Sequence, residues 1–190
     1  MRIAISGTHC MGKTTLINDF MKTHPEYTFE PEPYYQLQEL HGVEFSEIPT
    51  LEDFIEQLEY SIERLEELAT QENVIFERCP IDFIAYSMHL IHEEEISLSD
   101  TAIYDKLSDI KNALKTLDLI VFLPMTSEHP VRCPDSEDQS LRNSVDEYLK
   151  EIYREDVLDI FPRYNHPQVI EIWGSPRERL QKLIEDTFSL

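Results

Sequence analysis

The segment Gly7-Thr8-His9-Cys10-Met11-Gly12-Lys13-Thr14 constrains this chain more than any other feature. It follows a short apolar run, Arg2 to Ser6, and precedes Leu16, Ile17, Phe20 and Met21, which share one helical face. Glycines at its fixed positions let the backbone curl until successive N–H groups point inward at an anion. A lysine neutralises the outer charge of that anion, and a threonine hydroxyl suits a magnesium ion. Two of only four glycines in the chain fall on the two required positions. Gly7, Thr8, His9, Cys10, Met11, Gly12, Lys13, Thr14 and Thr15 are therefore the candidate phosphate-binding residues. Lys13 acts on the outer phosphates without core contacts, and Thr14 serves as a metal ligand. The side chains of His9 and Cys10, at variable positions of the pattern, read as bystanders.

The remaining pattern alternates strand and helix. Tyr27 to Glu30 reads as a strand stopped by Pro31 and Pro33. Leu51 to Ala69 reads as a long helix, apolar on one face and stacked with glutamate on the other. Asn73 to Glu77 and Leu117 to Leu123 are continuous apolar runs, as expected of strands covered on both faces. Helices are expected over Thr14–Lys22, Ile81–Ile91, Thr101–Leu117 and Leu141–Ile160. A polar loop fills Thr126–Gln139, a last strand Val169–Trp173 and a closing helix Pro176–Thr187. Five strands joined through helices predict a three-layer α/β/α fold around a five-stranded parallel sheet. Residues 1–190 read as one domain without repeat or linker.

Charge limits the partners. With 16 Lys and Arg against 38 Asp and Glu, the formal net charge is -22. Such a surface repels phosphate backbones, which argues against long nucleic acid but not against a small anionic ligand. No apolar run is long enough to span a bilayer, so no membrane partner is expected. Cys10, Cys79 and Cys133 are odd in number and far apart in sequence, arguing against disulfides and zinc and for a reducing, cytoplasmic compartment. His89 and His92 lack a His-Glu-x-x-His frame and read as helix-surface histidines.

Several stations along nearly the whole chain carry a resemblance. Glu30-Pro31-Glu32-Pro33-Tyr34-Tyr35 is similar to the Glu-Pro segment of deoxynucleoside kinases. Glu77-Arg78-Cys79-Pro80-Ile81-Asp82 is similar to their Glu-Arg-Ser and to the Asp-Arg of thymidylate kinases. Asp118 to Leu123 looks like the fourth strand of both. Arg132 and Arg142 fall where those enzymes carry an arginine-bearing lid, and Ile172 to Pro176 where a loop passes over adenine. The chain thus resembles the small P-loop kinases of the deoxynucleoside and thymidylate kinase-like group, and the AAA-type ATPases that look like them. The resemblance implies a P-loop NTPase fold with a helical lid near residues 126–145, and use of ATP and Mg²⁺. It departs from the pattern at Cys79, which replaces the serine, and in the wide spacing of Arg132 and Arg142.

The residues agree in chemistry. Phosphoryl transfer asks for positioning and charge neutralisation more than covalent help. Glu77, at the C-terminal end of a parallel strand, points to the crevice where α/β sheets bind ligands and joins Thr14 as candidate metal ligand. Arg78 is the candidate cation for the moving phosphoryl group. Glu32 or Glu30 is the candidate general base, with Glu32 favoured because Tyr34 and Tyr35 follow it. Arg132 and Arg142 are candidate lid arginines, and Gly174 is expected to leave backbone groups free for an adenine edge. No Asn-Lys-x-Asp guanine motif is present, and no adjacent carboxylates follow an apolar strand.

The expected activity is an ATP- and Mg²⁺-dependent kinase acting on a hydroxyl of a small, nucleoside-like molecule. A homodimer is left open. The alternative is a regulatory ATP-binding and ATP-hydrolysing switch that signals to a protein partner.

Overall fold

Short apolar runs that cannot satisfy water on either side become the centre of this fold. The computed structural model describes residues 1–46 and 48–188. Its strands are β1 (Arg2–Ser6), β2 (Thr28–Glu30), β3 (Val74–Glu77), β4 (Leu119–Phe122) and β5 (Gln168–Glu171). They form one sheet in the order β2-β3-β1-β4-β5, and every pairing is parallel.

Alternation along the strands builds a core on each face. Ile3, Ile5, Ile75, Leu119 and Val121 pack with Leu16, Ile17 and Phe20 of α1 (Lys13–Thr23) and Leu183 of α7 (Pro176–Phe188). Ala4, Val74, Phe76, Ile120 and Phe122 face the other way, toward α3 (Leu51–Glu67), α4 (Pro80–Glu93), α5 (Ala102–Leu114) and α6 (Gln139–Glu155). The result is the three-layer α/β/α arrangement that the pattern predicts, with all five strands where apolar runs place them. Glu52, Glu56, Glu59, Glu63 and Glu66 on α3 are exposed, so the glutamate stack is a solvated face.

Three boundaries depart from expectation. Pro33, read as a stop, instead opens helix α2 (Pro33–His41) at its first position, where no N–H is needed. The helix expected to reach Ile160 ends at Glu155, because Asp156 turns left-handed (φ 45°) and its carboxylate accepts from the Ile160 N–H at 2.9 Å. The helix expected over Thr101–Leu117 ends at Leu114, and a 3₁₀ turn (Leu98–Asp100) precedes it. Among the described residues no helix is long and apolar enough to cross a membrane.

Candidate active site

The segment from Gly7 to Gly12 leaves β1 between its two neighbours. The Arg78 N–H bonds to Ile5 O (3.0 Å), and the Leu123 N–H to Ser6 O (2.9 Å), so β3 and β4 flank the loop. At Gly7 (φ 146°) a Cβ would lie 3.0 Å from Leu123 O, and Gly12 (φ 81°) is left-handed at the helix N-cap. Both positions require glycine. Met11 is buried beneath the loop, whereas Gly12, Thr14 and Thr15 face solvent at the head of α1.

Side chains from distant elements hold the loop. Asp82 is fully buried and works in two directions. One carboxylate oxygen accepts from the Gly7 N–H (2.9 Å), and the other caps α4 by accepting from the Cys79 N–H (3.0 Å). The Tyr86 hydroxyl accepts from the His9 N–H (2.9 Å). Arg142 donates to His9 O (3.3 Å), to Met11 Sδ (3.3 Å) and to Val131 O (3.0 Å). Arg179 donates to Met11 O (2.6 Å) and Gly174 O (2.9 Å).

Lys13 departs from the expectation that it lacks core contacts. It is buried, and its ammonium donates to Gly7 O and Thr8 O, both at 2.9 Å. Burial and the nearby Arg78 guanidinium bring its pKa down to about 8, against the pull of Glu32, Asp82 and Glu77. An arriving phosphate would supply the anionic partner that the two carbonyls only approximate.

The expected metal pair is in contact: the Thr14 hydroxyl donates to Glu77 Oε1 at 2.6 Å. Burial pushes the Glu77 carboxyl up, even though the Thr14 hydrogen bond and Lys13 favour its charged form. A hydroxyl beside a partly desolvated carboxylate is the hard oxygen set that suits Mg²⁺. No three His, Cys, Asp or Glu side chains cluster around a common point among the described residues. A magnesium ion held here would therefore complete its shell with water and phosphate oxygen.

Arg78 and Glu32 form the second pair. Arg78 has a left-handed backbone (φ 74°) directly after β3, a conformation unusual outside glycine that the packed surroundings sustain. Its buried guanidinium donates to Glu32 Oε1 (2.5 Å), Gly7 O (3.1 Å) and Tyr86 Oη (3.3 Å). Burial alone would raise the Glu32 pKa, but Arg78 and Lys13 hold that carboxyl below the usual range. Arg78 itself is driven upward by Glu32, Tyr86 and Asp82 despite burial. Glu30 lies elsewhere: Arg64 of α3 donates to both its oxygens, at 2.6 and 3.2 Å. The two glutamates, left open by sequence, thus have different partners.

A cavity of about 270 Å³ opens beside this pair, with Glu32, Arg78, Tyr34, Phe45, Phe54 and Tyr86 in its walls. Tyr34 and Phe45 stack at 4.8 Å. Of the two tyrosines expected beside Glu32, Tyr34 lies in the cavity wall against Phe45 from the segment after α2, whereas Tyr35 is exposed.

The remaining candidates separate. Arg142 sits against the loop, whereas Arg132 is exposed to solvent. The Gly174 carbonyl, expected to be free, accepts from Arg179. Sequence reasoning gave no role to Asp82, Tyr86 or Arg179. Asp82 lay inside a quoted motif, and Arg179 shares a helix face with Leu180 and Leu183, an unusual place for an arginine unless it has a partner.

The model of a family described as an AAA domain matches residues 2–179. The chain belongs to that family. Its fold is that of the small P-loop kinases of the nucleoside kinase-like group. The deoxyadenosine kinase of M. mycoides with bound dATP superposes with a TM-score of 0.69, at 16% identity over 98% of this chain and 99% of that one. The shikimate kinase of Aquifex aeolicus vf5 reaches 0.55, at 14% identity over 100% and 97%. The NadR protein in complex with NR reaches 0.60, at 15% identity over 100% of this chain and 50% of that one. No curated protein matches the sequence.

Proposed function

We propose that this chain is an ATP- and Mg²⁺-dependent kinase that phosphorylates a hydroxyl on a small, nucleoside-like molecule. The observation that carries the reading is the Glu32–Arg78 pair, set at the mouth of an aromatic cavity and bonded to the phosphate loop at Gly7. The fold shared with deoxyadenosine and shikimate kinases supports it.

Each residue has a task. Lys13 and the loop N–H groups other than those of Gly7 and His9, which Asp82 and Tyr86 hold, bind phosphate oxygens, and Lys13 leaves the Gly7 and Thr8 carbonyls as it turns to the ligand. Thr14 and Glu77 hold Mg²⁺, which when bound neutralises charge on the phosphates. Glu32 accepts the hydrogen of the acceptor hydroxyl and orients it for attack. With its pKa held low, it is a weak base, which suits a transfer that needs little proton abstraction before bond breaking. Arg78 lies between Glu32 and Gly7 and faces the equatorial oxygens of the moving phosphoryl group. Arg142 connects the loop at residues 126–138 to the phosphate loop, so this region, together with the first turns of α6, serves as a lid that excludes water. Arg132, on the outside of that lid, acts only if closure brings it inward.

A neutral acceptor fits the cavity better than a phosphorylated one. Arg78 is the cation in its walls and is already paired with Glu32, while Asp53 and Glu137 add negative charge. Adenine is the preferred donor base, met by the backbone N–H side of the Gly174 turn. Residues 1–190 work as one catalytic domain in the cytoplasm.

The test is ADP release measured by a coupled assay against nucleosides, aminoglycosides and sugars. Acceleration by an acceptor, abolished by EDTA, supports the kinase. Slow ATP hydrolysis indifferent to every acceptor favours a regulatory switch with a protein partner.

A further inference from the structure

Arg179, in the first turn of α7, is 5% exposed, and its guanidinium reaches two segments that are far apart in sequence. Nε donates to Gly174 O (2.9 Å), in the turn that leaves β5, and Nη1 donates to Met11 O (2.6 Å), in the phosphate loop. Nη2 is buried and has no hydrogen-bond partner among the described residues. Although the chain carries 38 Asp and Glu, none is turned to this cation. Glu178 beside it accepts from the Ser175 N–H (2.8 Å) and hydroxyl (2.7 Å) instead. Burial therefore lowers the Arg179 pKa with no acidic group opposing it.

A buried cation held only by carbonyls is unfavourable, and a neutral donor would brace the same two segments with less desolvation. The geometry shows what the fork does in return. In a trans peptide the C=O and the following N–H point in opposite directions, and no described peptide is cis. Drawing Met11 O toward α7 thus turns the Gly12 N–H away from it, and among the described residues nothing accepts that N–H. Arg142 acts likewise from α6 on His9 O (3.3 Å), which turns the Cys10 N–H. Two arginines on two helices hold alternate carbonyls back, and the N–H groups between them are left for an anion.

We propose that Arg179 is a positioning residue that ties the phosphate loop to the Gly174 turn, so that the phosphates and the base of the donor nucleotide bind as one unit. The inference rests on the donor side of the kinase reading, with phosphates at the loop and the base at the turn, and is independent of the acceptor. Arg179 touches neither ligand group. A phosphate settling on the Gly12 N–H polarises that peptide and strengthens the Met11 O bond to Arg179. The other branch of the fork then steadies the turn that meets the base. Coupling of this kind is reciprocal, so a base bound at the turn favours the phosphates equally. A lysine has a single nitrogen at its tip and cannot reproduce the two-branched span.

The test titrates the full chain with ATP and with inorganic tripolyphosphate by calorimetry, and the ratio of the two affinities reports what the base adds. In Arg179→Lys, which keeps the charge, and in Arg179→Ala that ratio should shrink at least about fivefold, the lower end of ordinary coupling between sites. Guanidinium chloride far below denaturing concentrations should restore the ratio in Arg179→Ala, and sodium chloride at the same ionic strength should not. If Arg179→Ala fails to fold, Arg179→Lys carries the test alone, with tripolyphosphate binding as the sign of an intact loop. Equal losses for both ligands, or no loss, would overturn the proposal and make Arg179 a strut. A parent chain that binds ATP no more tightly than tripolyphosphate would overturn it as well. If the coupling is found but no acceptor hydroxyl is phosphorylated, the kinase reading fails and this inference stands. A parent that binds neither ligand sinks both.

Discussion

The phosphate side and the acceptor side of the crevice are built by different means. On the phosphate side the proposed cradle is one contiguous segment, Gly7 to Thr15, and distant residues such as Asp82, Tyr86, Arg142 and Arg179 clamp its backbone. On the acceptor side no contiguous segment exists. Tyr34 of α2, Phe45 of the following loop, Phe54 of α3, Arg78 just before α4 and Tyr86 in the middle of α4 converge on one cavity. A contiguous cradle is fixed by local backbone geometry, so it takes the same form wherever the phosphate loop occurs. A cavity assembled from five places can change its walls without disturbing the sheet, which is where a family varies its substrates.

The comparison breaks hardest at Lys13. Lys13→Met should lower phosphoryl transfer by at least about 10³-fold, as expected when a pre-placed positive charge is removed from the transition state. The fold should survive. Burial has lowered the Lys13 pKa from its unfolded value to about 8, so at neutral pH the unfolded chain holds that proton more tightly than the native one. The charged lysine therefore costs stability at neutral pH and costs less as pH rises through that window. The melting temperature of Lys13→Met should equal or exceed that of the parent at pH 7. A large drop in melting temperature would make Lys13 a structural residue.

The two glutamates test the acceptor side. Glu32→Gln should lower turnover by about 10²-fold or more with little change in ATP affinity, the usual cost of losing a positioned base. Glu30→Gln should leave turnover near the parental value. It should cost about 1 kcal/mol or less of stability, because the Arg64–Glu30 pair is partly exposed and ties β2 to α3. Urea unfolding and steady-state kinetics on both variants separate the roles. If Glu30→Gln is the crippling change, the base and the strut have been exchanged.

How much of this could be read in the sequence follows from the same contrast. β3 and β4 were legible because both their faces are buried, which forces an uninterrupted apolar run. The phosphate loop was legible because its chemistry is written in adjacent letters. Helix α2 was not: the Pro33 signal is shared by a strand end and a helix start, and only the packing of Leu37 decides between them. The end of α6 was overrun because Val157, Leu158 and Ile160 continue the apolar pattern past Asp156, where the backbone reverses. Asp82, Tyr86 and Arg179 act on the loop's backbone across long stretches of chain, and no local pattern announces such a contact. The different surroundings of Glu30 and Glu32 come from Arg64 and Arg78, which meet them only in three dimensions.

Proton linkage offers a subtler probe of the phosphate side. On the proposed reading ATP binds best to the charged form of Lys13, whose pKa burial and Arg78 bring down to about 8. Affinity should be nearly constant below that pH and weaken above it, approaching about tenfold per unit. Near pH 8, binding should take up a fraction of a proton, so its calorimetric enthalpy should vary with the ionisation enthalpy of the buffer. An affinity flat from pH 7 to pH 9.5 would place the Lys13 proton outside the binding step.

The smallest effect distinguishes the two lid arginines. Arg142 is buried and bonded to His9 O, Met11 Sδ and Val131 O, so it shapes the loop before any ligand arrives. Arg142→Ala should lower both ATP affinity and turnover, by about tenfold, since one buried and two partly buried acceptors lose a charged donor. Arg132 is exposed, and an exposed arginine on a strongly acidic chain contributes little until something closes over it. Arg132→Ala should leave ATP affinity unchanged and lower turnover by no more than about threefold if residues 126–138 stay near their present position. A drop of about 10²-fold in turnover with unchanged affinity would mean that closure carries Arg132 across to the phosphoryl group, and that it, rather than Arg142, meets the transition state.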